Sequence, residues 1–392
     1  LDRRWEFAEK YLIEREERGL KRTLRPRDFF RDHPAKVSLD GRVLYNLASN
    51  DYLGLRDDPR LADSAAAAAR SWGCGAGASR LMSGDTLLHE EFEAKLAGFH
   101  GTRAALAFSS GYAAGVGLLP ALASHGDRLY LDRLCHACLY DGARLSGAGI
   151  RRYRHNDISH LRQLLEKDRG AGGRPVVVTD TVFSMDGDRA PIAEISAVCR
   201  EFGALLVADE AHAVGVIGPG GRGVAATAGL TEEDVLVLAT LGKAFGVSGA
   251  YVACSPLVRD YLVNACRSFV FSTATPPPVV AAAAEAVGIA AGMEAERIRL
   301  AEMSGTFRAR LRSLGVDTLA STTQIVPAVV GEANAAVNLS QRLYDEGVFA
   351  PAVRPPTVPE GTSRVRFSLT TALSDEDFAE ILGIIEKVFG RR

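Results

Sequence analysis

The chain has 392 residues, with 46 Lys plus Arg against 48 Asp plus Glu and a formal net charge of −2. Apolar side chains make up 47% and charged ones 24%, a balance that excludes a disordered or collagen-like chain. There is no basic excess to attract nucleic acid or an anionic membrane, and no apolar run reaches the roughly 18 residues of a membrane span. Six cysteines scattered over this length make no disulfide framework, and a reducing cytoplasm is the expected setting. The first residue is Leu1 and not Met, which leaves a removed leader open.

In chain order, residues 4–18 place Trp5, Ala8, Tyr11 and Leu12 along one face and end at Gly19, which predicts an amphipathic helix with a glycine cap. A basic arm follows, with Lys21, Arg22, Arg25, Arg27 and Arg31, while Pro26 and Pro34 argue against a continuing helix. Beyond residue 46 short apolar runs alternate with longer amphipathic ones. The expected strands are Ala104–Phe108, Arg128–Asp132, Val176–Asp180, Leu205–Asp209, Val235–Ala239 and Ala250–Ala253, with helices such as Ile158–Lys167 and Ile192–Phe202 between them. That alternation predicts an α/β domain around a mainly parallel sheet, in which ligands gather at the carboxyl ends of the strands.

After residue 285 the character changes. A long helical segment, Ala281–Leu314, leads to a strand Ile325–Val330, a helix Ala333–Glu346, the proline-rich stretch Pro351–Pro359, a strand Val365–Leu369 and a last helix Ser374–Phe389. The expected organisation is an N-terminal helix and arm (1–45), a large α/β domain (46–285) and a smaller C-terminal α+β domain (286–392).

Three apparent motifs fail on context. Gly218–Gly223 fits G-x-G-x-x-G, but the preceding strand ends nine positions earlier at Asp209, so it reads as a structural loop. Gly242-Lys243 lacks the first glycine and the Ser or Thr of a Walker loop. Cys135-His136-Ala137-Cys138 has no second paired cluster to complete a zinc site, so no metal is expected.

Lysine is rare here, only seven among 46 basic residues, and Lys243 stands out. It lies just past a buried strand, between glycines, where a lysine among small apolar groups can form a Schiff base. Asp209 ends another strand and can anchor a protonated ring nitrogen, and His212, three residues on, can hold an oxygen of the same ring. Together they suit pyridoxal phosphate, whose pyridinium needs an acidic partner and whose aldehyde needs a lysine. Gly111 and Tyr112 open a helix directly after a strand and offer N–H groups to a phosphate, with the Thr240 hydroxyl near Lys243 in sequence. His136 follows a strand and can lie on the ring face.

At this point the chain resembles the α-oxoamine synthases, fold-type I pyridoxal-phosphate enzymes, over nearly its whole length. The matching segments are 46–55 (NLASNDYLGL), 75–84 (GAGASRLMSG), 179–188 (TDTVFSMDGD), 209–212 (DEAH) and 240–243 (TLGK). Residues 354–366 (RPPTVPEGTSRVR) are most similar to the biotin-pathway branch, whose members join L-alanine to a pimeloyl thioester carried on coenzyme A or an acyl-carrier protein. The resemblance implies a PLP-dependent acyltransferase and a homodimer. In it Lys243 holds the cofactor and acts as base, Asp209 binds the pyridine nitrogen, His212 and Ser184 contact the ring oxygen, and His136 stacks on the ring. Gly111, Tyr112 and Thr240 would seat the phosphate, with Thr273 reaching in from a second subunit. Arg366 would bind the amino-acid carboxylate, Asn50 would line the same cavity, and Thr357 and Arg22 would lie on the acyl path, with Lys21 one register away from Arg22. Asp180 stands where biotin-branch members often have Glu. Other acyl-thioester pairings, and an aminotransferase-like enzyme that makes no C–C bond, are the alternative readings.

Overall fold

Runs such as Val176-Val-Val178 and Leu205-Leu-Val207 are apolar on both pleat faces, and a strand of that kind is stable only in the middle of a covered sheet. In the computed structural model, which describes residues 3–30 and 32–390, they form the centre of a seven-stranded sheet. Arg31, the last residue of the basic arm, lies outside the described residues. The strand order is 104–108, 250–254, 236–240, 205–209, 175–180, 128–132, 149–153. The last five run parallel, and Ala250–Cys254 is antiparallel to both its neighbours. Leu131, Val176, Val178, Val207 and Val252 are fully buried in this core.

The six strands expected in the large domain, and Ile325–Val330, are present within one residue at either end, whereas Val365–Leu369 begins two residues earlier, at Ser363. One was missed. Gly149–Tyr153 carries Arg151 and Arg152 and buries only Tyr153, because it is the edge strand and has few apolar neighbours to satisfy. The expected helix Ala281–Leu314 is two helices, Pro277–Ala291 and Glu294–Ser313, separated at Gly292-Met293. The loop at Gly218–Gly223 is tight for a local reason. Gly223 has φ 102°, and a Cβ there would meet the Glu210 carboxylate at 2.4 Å. Buried Glu210 accepts the N–H groups of Val224 and Ala225 at 3.0 and 2.7 Å.

The chain divides into two compact units. One comprises residues 50–184 and 188–299 and contains the seven-stranded sheet. The other joins both ends of the chain: residues up to Ser49, Met185–Gly187 and Leu300 onward. Its three-stranded antiparallel sheet orders Ile325–Gly331, Ser363–Ser368 and Ala352–Val353. A four-stranded sheet ties the ends together, Val348–Phe349 running parallel to Arg42–Asn46. The N-terminal helix spans Glu6–Glu17 and is followed by Gly19 at φ 62°. It buries nothing within this chain: Trp5, Phe7, Tyr11 and Leu12 are all exposed. Among the described residues no single helix is long and apolar enough to cross a membrane, and all six cysteines are free.

Candidate active site

The carboxyl ends of the parallel strands carry the chemistry, because each strand stops at a polar residue that the following loop leaves facing one edge of the sheet. Asp180 and Asp209 are register partners at the ends of adjacent strands, and Thr240 ends the next. These residues, with Gly111, Tyr112, His136, Cys138, Ala211, His212 and Lys243, line one cavity of about 190 Å³. Seven of the residues expected from sequence therefore meet: Gly111, Tyr112, His136, Asp209, His212, Thr240 and Lys243.

A hydrogen-bonded chain runs from the lysine into the protein. Lys243 Nζ lies 2.7 Å from His212 Nε2, His212 Nδ1 lies 2.7 Å from the Tyr52 hydroxyl, and that hydroxyl donates to Asn50 Oδ1 at 3.1 Å. The directions are set by the two ends. As an ammonium the lysine only donates, and the Asn50 carbonyl only accepts, so His212 carries its proton on Nδ1 and turns the Nε2 lone pair to Lys243. Asn50 thus reaches the site through Tyr52. Tyr52 has no exposed surface and was not foreseen from sequence; a tyrosine in an aperiodic segment gives no sign that its hydroxyl meets a histidine 160 residues away.

Asp209 is held by the backbone, accepting the Ala211 N–H at 2.9 Å. Its neighbour Asp180 accepts the His136 N–H at 3.1 Å. Burial, and next the adjacent Asp209 charge, push the Asp180 carboxyl well above the usual carboxylate range. His136 caps the helix Ala137–Ser146, its Nδ1 accepting the Cys138 N–H at 3.3 Å with Cys138 Sγ 3.0 Å away. Its residue surface is exposed at the cavity mouth.

The opposite wall is the opening of the helix Gly111–Leu122. Ser110 caps it through a hydrogen bond from the Ala113 N–H at 3.1 Å, leaving the first-turn N–H groups of Gly111 and Tyr112 without helical partners. Thr240 Oγ1 is fixed beside them, donating to Gly249 O at 3.1 Å and accepting the Gly242 N–H at 3.2 Å. A Cβ on Gly111 would stand 3.6 Å from the Thr240 side chain, inside this cradle. An anion seat, a carboxylate and an amine on one cavity are the donor set that pyridoxal phosphate requires, and the residues fit it.

Other expected residues lie elsewhere. Ser184 is half-buried and is not part of this cavity lining. Thr273 is exposed, bridges to Ser79, and lines a separate small pocket with Arg80, Phe108 and Phe269. In the other unit Arg366 is buried and donates to Ser368 Oγ at 2.8 Å. There Arg22 Nη2 donates to Thr357 Oγ1 at 3.0 Å, whereas Lys21 turns away to Glu16 at 2.8 Å.

Residues 42–385 match the family model described as aminotransferase class I and II. The chain is 46% identical to the 8-amino-7-oxononanoate synthase of Geotalea daltonii, covering 92% of each chain. Among solved structures, the serine palmitoyltransferase of Sphingomonas wittichii superimposes with a TM-score of 0.92 at 32% identity, over 99% of this chain and 98% of that one. A serine palmitoyltransferase variant from S. paucimobilis with bound PLP gives 0.91 at 28% identity, over 99% and 98%.

Proposed function

Because the chain belongs to the class I and II aminotransferases, and within them to the α-oxoamine synthases, we propose that it catalyses the 8-amino-7-oxononanoate synthase reaction of biotin synthesis. In that reaction L-alanine and a pimeloyl thioester, on coenzyme A or an acyl-carrier protein, condense with loss of CO₂ and release of the thiol. The observation that carries this reading is the 46% identity, over 92% of both chains, to an enzyme of that name.

Pyridoxal phosphate, when bound, supplies an aldehyde for the amino acid's nitrogen and a ring that draws off the electrons freed at Cα. The chain's own residues do the rest. Gly111, Tyr112 and Thr240 seat the phosphate, and Asp209 holds the pyridine nitrogen in its charged form. His212 and Ser184 orient the ring oxygen, and His136 covers the ring face. Lys243 would hold the cofactor through its Nζ, and that amine, when free, is the group placed to take the Cα proton. The tyrosine link keeps the His212 lone pair aimed at that amine, so Lys243 has a proton acceptor beside it.

Arg366 is the partner for the amino-acid carboxylate, matched by the two parallel hydrogen bonds an arginine fork can make. Asn50 belongs to the same substrate site. Arg22 and Thr357 act together at the acyl end, and Arg22 is preferred over Lys21 because only Arg22 meets Thr357. Thr273 serves the site of a second subunit, which makes the enzyme a homodimer, and the expected place of the activity is the cytoplasm. Serine palmitoyltransferase-like structures keep one rival in view, a condensation of serine or glycine with another acyl-CoA. An assay of L-alanine, glycine and serine, each against pimeloyl, acetyl and palmitoyl thioesters, separates the two. The expected result is highest kcat/KM for L-alanine with the pimeloyl thioester, with CO₂ and free thiol released; a preference for another pair refutes the biotin assignment.

A further inference from the structure

We propose that His136 is locked as a neutral imidazole with its proton on Nε2, so that it offers the cavity a hydrogen-bond donor and cannot serve as a base there. The argument starts from the helix it caps. Most N-caps are Ser, Thr, Asp or Asn, whose oxygen accepts a first-turn N–H. Here a ring nitrogen does that work: Nδ1 of His136 accepts the Cys138 N–H at 3.3 Å. A proton on Nδ1 would point at that N–H, so Nδ1 must keep its lone pair. Cys138 Sγ stands 3.0 Å from the same nitrogen, and its thiol, which burial keeps protonated, donates to it as well. Turning the ring over would set a C–H against the Cys138 N–H and lose both contacts.

With Nδ1 committed to the cap, a neutral ring carries its hydrogen on Nε2, the nitrogen that points away from the helix. The imidazolium form is opposed by the same N–H and by the positive end of the ten-residue helix Ala137–Ser146. Although the ring edge is open to the cavity, withdrawal of water from the rest of it also lowers its proton affinity, with the Lys243 charge acting the same way and those of Asp209 and Asp141 acting against it. Asp180 faces it through the backbone N–H. The consequence is a division of labour. Lys243 is left as the proton acceptor at Cα, and His136 is suited to hold an oxyanion or carboxylate oxygen of the bound species by donation from Nε2. That consequence rests on the cofactor reading of the cavity, but the tautomer does not, and it is measured independently of turnover.

The test is long-range ¹H–¹⁵N correlation on the ¹⁵N-histidine-labelled full chain, with and without cofactor. There are eight histidines, and the His136 signals are assigned by their loss in His136→Asn. The expected result is a pyridine-type Nδ1 and a pyrrole-type Nε2, with this tautomer in at least about tenfold excess, as a hydrogen bond of ordinary net strength sustains. It should persist from about pH 8 down through the ordinary histidine value near ~6.5. Cys138→Ala keeps the backbone N–H and should keep the tautomer. Cys138→Pro, at a first-turn position that tolerates proline, removes the donor and should give a tautomer average. A pyrrole-type Nδ1 at neutral pH in the unmodified chain overturns the proposal, as does loss of the tautomer in Cys138→Ala; both readings stand even if Cys138→Pro does not fold.

Discussion

Tyr52→Phe removes one oxygen and leaves the ring, which is wholly buried, in place. That oxygen makes two hydrogen bonds, 2.7 Å to His212 Nδ1 and 3.1 Å to Asn50 Oδ1. The two losses differ in cost. His212 is only 6% exposed, so its Nδ1–H is left buried without that acceptor, a penalty of about 1–3 kcal/mol. Asn50 is half-buried and can turn to water, which limits its loss to about 0.5 kcal/mol. The sum, about 1.5–3.5 kcal/mol, lowers the stability of the apoprotein in denaturant. If the loosened His212 no longer orients the cofactor ring, a loss of that size lowers cofactor affinity about 10- to 300-fold. Two assays read it: urea unfolding of the apoprotein, and titration of pyridoxal phosphate followed by visible absorbance. A variant within about 0.5 kcal/mol of the parent in stability, and unchanged in cofactor affinity, refutes the view that this hydroxyl holds His212.

Lys243→Ala should abolish turnover and the visible absorbance that the parent develops with pyridoxal phosphate; an active Ala variant contradicts the assignment. Glu93 is 4% exposed and accepts from Arg80 at 2.8 Å, Arg259 at 3.1 Å and the Ala107 N–H at 2.9 Å. Glu93→Ala leaves the buried Arg80 without this partner and should cost about 3–5 kcal/mol in chemical unfolding. His155 lies between Asp132 at 3.0 Å and Asp188 at 2.8 Å, and those hydrogen bonds raise it to about 9 against the opposing effect of burial. Because this folded value lies above the ordinary one near ~6.5, its stabilisation is complete below about pH 6.5 and is lost as the pH rises through about 9. Unfolding midpoints should therefore fall from about pH 7 to pH 10, and His155→Gln should flatten that slope.

Residue type and local order were enough for the parts of this protein that depend on short stretches of chain. The buried strands are legible because a run such as Val176–Val178 can be satisfied only inside a covered sheet, and their carboxyl ends locate the chemistry. Lys243, Asp209 and His212 are legible because the cofactor's chemistry needs an amine and an acid; Asp209 ends one strand, with His212 three residues on, and Lys243 stands three residues past the end of the next. What sequence left out depends on which remote groups come together. The edge strand Gly149–Tyr153 has no apolar run, because its place at the rim of the sheet asks for none. The hydroxyl of Tyr52 means nothing until folding sets it 2.7 Å from His212, and only folding brings Arg22 to a threonine 335 residues away. The raised proton affinity of Asp180 and the lowered one of His136 are likewise properties of place. Desolvation, a neighbouring carboxylate and a helix end set them, and none of these exists before the chain is folded.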